Sequence, residues 1–220
     1  MRKLAFIPTR EEKERPIKTF LEKAGWTVKY LVNESSIFDA YTKAFKDNNI
    51  IAKDKYFLTK FDNIVSIEMF EAVGERFWPT YFDKVGALLK PNGKAVIQTI
   101  TMNDHDFPRY RSGGDFIRSY IFPGGMLPSI SVLKSVVSSA GLVYENETMF
   151  GQSYARTLRT WNRDFQAKWP EIRELGFDQK FRNLWEYYLS YCEAGFSTGR
   201  TDVGQFVLSK KGWLVHSLNT

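Results

Sequence analysis

The sequence predicts an α/β protein built on a parallel, doubly wound sheet with helices on both faces. Three observations carry that expectation. Short runs rich in β-branched and aromatic residues recur along the front half, segments with apolar residues at helical spacing lie between them, and glycines or an Asn-Gly pair stand where elements should end. With 220 residues, 43% hydrophobic and 16% aromatic, the chain suits one ordinary domain with a sizeable core.

Lys3–Pro8 (KLAFIP) reads as the first strand and Thr27–Val32 (TVKYLV) as the second. Between them, Arg10–Ala24 carries Ile17, Phe20 and Leu21 at helical spacing and closes on Gly25, a residue that accepts the left-handed turn ending many helices. Ile37–Asp47 is the next helix, Asn63–Met69 (NIVSIEM) the third strand and Trp78–Leu89 the helix after it. Asn92-Gly93 makes a turn before the strand Lys94–Thr101. Beyond Thr101 the alternation breaks. Met102–Pro128 is rich in Asp, Arg, Gly, Pro and aromatics and is too long for a simple connection, a length that commonly serves function. A helix at Ser131–Ala140 stops at Gly141, and Val143–Met149 reads as a strand. Two helices follow with aromatics spaced along one face, Trp161, Phe165 and Trp169 on one and Phe177, Phe181, Trp185 and Tyr188 on the other. Gln205–Leu208 is the last strand.

Composition excludes several classes of chemistry. A single cysteine, Cys192, cannot form an internal disulfide framework or a Cys-based zinc cluster, and two histidines, His105 and His216, do not make a His-rich metal site. No run approaches the roughly 20 apolar residues of a membrane helix, and the N-terminus turns charged too soon for a signal peptide, so a soluble intracellular protein is expected. The 31 basic against 25 acidic residues give a formal +6, which suits a polyanionic partner such as nucleic acid or an anionic membrane. There is no G-x-S-x-G nucleophile motif and no phosphate-binding P-loop. Cys192, in the middle of an aromatic helix, reads as a buried small residue rather than a nucleophile.

In an open α/β sheet, ligands gather at the carboxyl ends of the strands. Glu68 and Glu71 stand there after the third strand, and Gln98 and Ile100 near the end of the next. Each Glu is either a solvated helix-start charge or a carboxylate that holds a positive centre or takes a proton. The aromatic stripes are either core or the wall of an apolar pocket. Arg156, Arg159, Arg163, Lys168, Arg173, Lys180 and Arg182 make either a solvated face or a basic rim suited to anionic lipid.

From about residue 57, and most clearly from Phe61 to Lys210, the chain resembles the cyclopropane-fatty-acyl-phospholipid synthases and the related mycolic acid cyclopropane synthases. The segments that carry the likeness are FDNIVSIEMFEAVGERFWPTYF, LLKPNGKAVIQTIT, DFIRSYIFPGGMLPS, YARTLRTWNRDF, LGFDQKFRNLWEYYLSYCEAGF and GQFVLS. The resemblance implies a Rossmann-like methyltransferase sheet with an inserted aromatic helical lid, residues 57–220 forming the C-terminal part of that domain. It implies methyl or methylene transfer from S-adenosylmethionine to an unsaturated acyl chain of a phospholipid, with bound bicarbonate taking the proton. Glu71, in the position of the family's MFE-x-VG glutamate, Gln98, Ile100 and Tyr154 are the implied catalytic residues. Glu68 and Glu71 are the implied cofactor contacts, and no metal is implied. An anionic phospholipid or membrane surface is the implied partner, met peripherally from the cytoplasm; a homodimer is allowed and nucleic acid is not expected.

Residues 1–56 form an atypical β-α-β-α front segment that would complete the sheet. The family's glycine-rich cofactor loop, of the type LDIGCGWGG, should follow the first strand, but the turn there, Thr9–Pro16 (TREEKERP), holds no glycine. The acidic residue after the second strand and the cysteine of the bicarbonate site have no recognisable counterpart either. The front segment is more similar to the opening of a nucleotide-sugar glycosyltransferase, as if two Rossmann-like pieces were joined. Two other readings follow: a non-catalytic remnant that binds lipid or a partner, and a glycosyltransferase with Asp104-His-Asp106 as its metal motif.

Overall fold

A computed structural model describes residues 3–8, 26–31 and 60–210 of the chain. The helices expected at Arg10–Ala24 and Ile37–Asp47, and the turn Thr9–Pro16, lie outside the described residues. Strands β1 (Lys3–Pro8), β2 (Trp26–Leu31), β3 (Phe61–Ile67), β4 (Leu89–Met102), β5 (Leu142–Met149) and β6 (Thr201–Lys210) form one sheet in the order β2-β1-β3-β4-β6-β5. The first four are mutually parallel, as the βα alternation predicts. The sheet as a whole is mixed, because β6 runs antiparallel to both β4 and β5. The reason is where the chain stands before β6. Its preceding helices sit at the carboxyl end of the sheet, and Thr201 pairs with Met102, the last residue of β4, so β6 starts at that end and must run back.

Asn92-Gly93 does not separate two elements. The pairing of β3 with β4 passes from Phe61–Leu89 directly to Asn63–Lys94, so the extra residues of β4 bulge out, with Asn92 at φ +61°. Glycine is needed at 93: an added Cβ would lie 2.9 Å from the Lys90 carbonyl and 3.1 Å from that of Asp62.

Helices α1 (Phe70–Val73), α2 (Trp78–Leu88), α3 (Phe107–Ser112) and α4 (Ile130–Ser139) lie between the strands, with a single π-helical turn at Ile117–Ile121. Trp78, Phe82 and Val85 on α2 and Leu133 and Val137 on α4 repeat at helical spacing and are buried against β3, β4 and β6. The Phe70 ring stacks on Trp78 at 5.4 Å and meets Phe82 at 5.1 Å. Burying each such side chain stabilises the fold by about 2 kcal/mol.

Helices α5 (Gly151–Ala167), α6 (Trp169–Glu174) and α7 (Gln179–Ser197) complete the chain before β6. The stripe Trp161/Phe165/Trp169 was expected on one helix, but α5 ends at Lys168 and Pro170 opens α6, where a missing N–H costs nothing. Asp178 caps α7 by accepting the Phe181 N–H at 2.8 Å. Ala155 and Leu158 of α5 meet Leu189 and Phe196 of α7 and Val203 of β6 in a second core, on the other face of the sheet from the first. Alternation along β4 divides its side chains between the two. Ala95, Ile97 and Thr99 are buried with the first core, while Ile100 packs on the second and Gln98 shares its face.

Candidate active site

Five residues singled out in the sequence meet at the carboxyl ends of β3 and β4. Parallel register sets Ile67 beside Gln98, and the Glu68 N–H then donates to the Gln98 carbonyl at 2.8 Å. Glu68 leaves the strand at φ +49°, a left-handed conformation that costs a side-chain-bearing residue about 1 kcal/mol. Its carboxylate accepts from Gln98 Nε2 at 2.9 Å and from the Tyr154 hydroxyl.

Glu71 reaches the same place from the first turn of α1. The solvated helix-start reading fits its position but not its surroundings. Oε1 accepts the Ile100 N–H at 2.6 Å, and Oε2 is shut off from solvent with no hydrogen-bond partner, although the residue as a whole is only half-buried. Desolvation pushes its pKa up to about 7; the Ile100 N–H and the Thr99 hydroxyl oppose the rise and the nearby Glu68 carboxylate adds to it.

Tyr154 arrives through the start of α5. The Gly151 N–H donates to Asp202 Oδ1 at 2.8 Å, and the same oxygen accepts the Val203 N–H at 2.7 Å. A Cβ at 151 would run into the Asp202 carboxylate, so the close approach of α5 to β6 requires glycine there. One turn on, the Tyr154 ring lies 5.7 Å from Phe150 and 5.4 Å from Phe196. Burial, then its bond to Glu68, raise the phenol pKa well above the usual range, so it stays a donor at neutral pH. Gln205 on β6 donates to Gln98 Oε1 at 3.0 Å. The pattern of the last strand gave no sign of this role, which register with Gln98 creates.

Tyr188, Trp185 and Cys192 of α7 stand with Ile100 and Tyr154 against the second core, an apolar wall next to the carboxylates. Burial pushes the Cys192 thiol up to about 12, which suits packing and not nucleophilic attack. The long connection closes over this wall. Asp115 accepts the N–H groups of Ile117 and Arg118 through Oδ1 and the Tyr191 hydroxyl through Oδ2 at 2.7 Å, tying the π turn to α7. The Met126 N–H donates to the Glu71 carbonyl at 2.9 Å on the way back.

The structure bears on three further readings of the sequence. Trp161, whose stripe with Phe165 and Trp169 reads as either core or pocket wall, is 58% exposed. Of the seven cations read as a solvated face or a basic rim, four are paired with carboxylates of the same helices, as Arg159–Glu193, Arg163–Asp164, Lys168–Glu171 and Arg182–Glu186. Asp104 is not half of a metal motif: it accepts the N–H and hydroxyl of Ser131 at the start of α4, while Asp106 accepts from Asn103. Among the described residues no group of three or more His, Cys, Asp or Glu is placed to hold a metal, and no helix is long and apolar enough to cross a membrane.

Residues 38–206 match the mycolic acid cyclopropane synthetase family, a span that begins inside the front segment. The chain belongs to that family. Tuberculostearic acid methyltransferase of Mycobacterium tuberculosis is 41% identical over 154 residues, covering 70% of this chain but 36% of its own length. Cyclopropane-fatty-acyl-phospholipid synthase of Escherichia coli is 36% identical over 151 residues, 69% of this chain and 38% of that protein. The chain thus spans little more than a third of either relative. The fold agrees with cyclopropane synthase MmaA2 of Mycobacterium tuberculosis, at a TM-score of 0.72 and 22% identity over 94% of this chain and 78% of that one. It agrees equally with mycolic acid cyclopropane synthase CmaA1, solved with SAH and CTAB, at 0.72 and 24% identity over the same shares. For a cyclopropane synthetase family member, the mixed sheet and its helices are therefore the expected methyltransferase architecture.

Proposed function

We propose that the chain carries the acceptor side of an S-adenosylmethionine-dependent enzyme that transfers methyl or methylene to an unsaturated acyl chain of a phospholipid. The observation that carries this reading is Glu71: a carboxylate enclosed at the sheet's carboxyl end, one oxygen held by Ile100 and the other without a partner, beside an apolar wall. An unpartnered buried carboxylate oxygen suits a buried cation, so the residues present fit the sulfonium of the methyl donor, with Glu71 holding it. Bound there, the donor supplies an electrophilic methyl group. Ile100, Tyr154, Trp185 and Tyr188 line the acyl side and exclude water.

The bicarbonate implied by the resemblance does not fit. Ile100 N–H, Gln98 Nε2 and the Tyr154 hydroxyl, the donors such an anion would use, already serve Glu71 and Glu68, and a further anion would face two carboxylates.

A thermal-shift titration with S-adenosylmethionine tests the reading, because a ligand at 100 times its Kd adds about 2.7 kcal/mol of stability. Mass spectrometry of lipids from expressing cells should show acyl chains heavier by one carbon. The absence of glycine from the sequence Thr9–Pro16 favours one competing reading, a lipid-binding protein without turnover. No shift at millimolar donor with persistent vesicle binding would establish that one instead.

A further inference from the structure

Two donors converge on a carboxylate that belongs to the chain itself. Gln98 Nε2 and the Tyr154 hydroxyl both donate to Glu68 Oε1, and Gln98 Nε2 also lies 3.2 Å from the Tyr154 oxygen. The amide orientation is fixed from behind, since Gln205 Nε2 donates to Gln98 Oε1. Turning the Gln98 amide over would set two acceptors, Gln98 Oε1 and Glu68 Oε1, against each other with no proton between them. The backbone of Glu68 adopts a left-handed conformation that glycine would take more easily, and a glutamate stands there. Glu71 cannot play the same part, because its bonded oxygen is held by a backbone N–H and its neighbours Gln98 and Tyr154 turn to Glu68.

We propose that the Glu68 carboxylate occupies the place of a small-anion base and itself accepts the proton released after methyl transfer. The inference rests on the methyl(ene)-transferase reading, with a sulfonium methyl donor as co-reactant. Methyl transfer leaves a positive centre on the acyl chain. A C–H bond next to that centre breaks, and its electron pair becomes either the closing C–C bond of a ring or a C=C bond. The proton goes to a Glu68 oxygen, so a cation and a carboxylate become a neutral chain and a carboxylic acid. The Tyr154 hydroxyl and the Gln98 amide hold the carboxylate in place throughout.

The test is binding of 13C-labelled bicarbonate, with acetate and formate as further probes, followed by carbon NMR line width on the full-length protein at pH 8. Wild type should show no saturable binding, because the donors are already taken. Glu68→Gly, which suits the left-handed backbone, frees both donors and should bind at least about tenfold more tightly; Glu68→Gln, which removes the charge and keeps the shape, should gain in the same direction. Saturable binding to wild type, as tight as to Glu68→Gly, overturns the proposal, and this wild-type measurement decides even where a variant fails to fold. With turnover in hand, wild type should work undiminished in carbonate-free buffer, and Glu68→Gly should need added bicarbonate. Loss of wild-type turnover on carbonate removal also overturns it. Absence of turnover under every condition counts against the transferase reading, while the NMR result still decides what occupies the anion's place.

Discussion

Glu71 couples the site to stability. A carboxyl whose pKa rises from 4.5 to about 7 on folding binds its proton more tightly in the native state. Its contribution is therefore greatest below pH 4.5 and is lost as the pH rises toward 7. The full swing is about 3 kcal/mol. Urea unfolding at intervals from pH 4.5 to 8 should show wild type losing that stability relative to Glu71→Gln, which has no such proton to release; equal pH profiles for the two would refute the burial argument. In an active protein the same substitution should lower kcat at least about tenfold while vesicle binding holds steady, because the charge and not the shape has been removed. The sequence marks Glu71, Gln98, Ile100 and Tyr154 through family likeness, and the fold brings them together at one end of the sheet. Glu68 was legible as a candidate carboxylate, but its bonds to Gln98 and Tyr154 were not, because they depend on a positive φ and on a partner 86 residues away, neither of which local pattern records.

The start of α5 is the element on which the site depends most directly. Gly151 lets the helix approach β6 closely enough for Asp202 to accept its N–H, and that anchor sets the height of Tyr154. Gly151→Ala should destabilise the protein by about 1 to 3 kcal/mol through overpacking, and should shift the Tyr154 phenol titration, followed by ultraviolet difference spectra, toward its ordinary value. A stable variant with unchanged titration would show that the approach is slack. At this scale the sequence reads well where the signal is local. The strands β3 and β5 and the helices α2 and α4 fall within a few residues of expectation. It reads poorly where geometry is shared between distant segments. The Asn92-Gly93 pair is turn-like in isolation, but alignment with β3 absorbs it as a bulge. The stripe through Trp169 keeps helical spacing across a break that Pro170 imposes. Within Met102–Pro128, composition marked function without showing that Asp115 would tie a π turn to α7.

For the whole molecule, strand direction was the feature least visible in the residues, since β6 is antiparallel only because three helices deliver it to the sheet's carboxyl end. Charge tells a parallel story. Residues 1–56 hold 12 basic and 8 acidic residues, +4 of the formal +6, and much of the basic cluster on α5, α6 and α7 is spent on internal ion pairs. Surface pairs of this kind contribute little to stability but do offset one another's field. If the chain docks on anionic phospholipid, as the family resemblance implies, long-range attraction alone should hold it weakly. The exposed aromatics of the lid, Tyr120 at 70% and Phe122 at 53% exposure, with Tyr187 at 53% beside them, are the groups able to insert at the interface. Salt separates the two contributions, because raising it from 0.1 to 1 M shortens the screening length from about 10 to about 3 Å and leaves apolar burial intact. Cosedimentation with anionic vesicles should show wild type keeping a substantial bound fraction at 1 M salt. The double variant Tyr120→Ser, Phe122→Ser should bind partly at low salt and hardly at all at high salt, with its melting temperature unchanged. Complete release of wild type at high salt, together with a double variant that binds like wild type at low salt, would mean that net charge and not the lid brings the protein to the membrane.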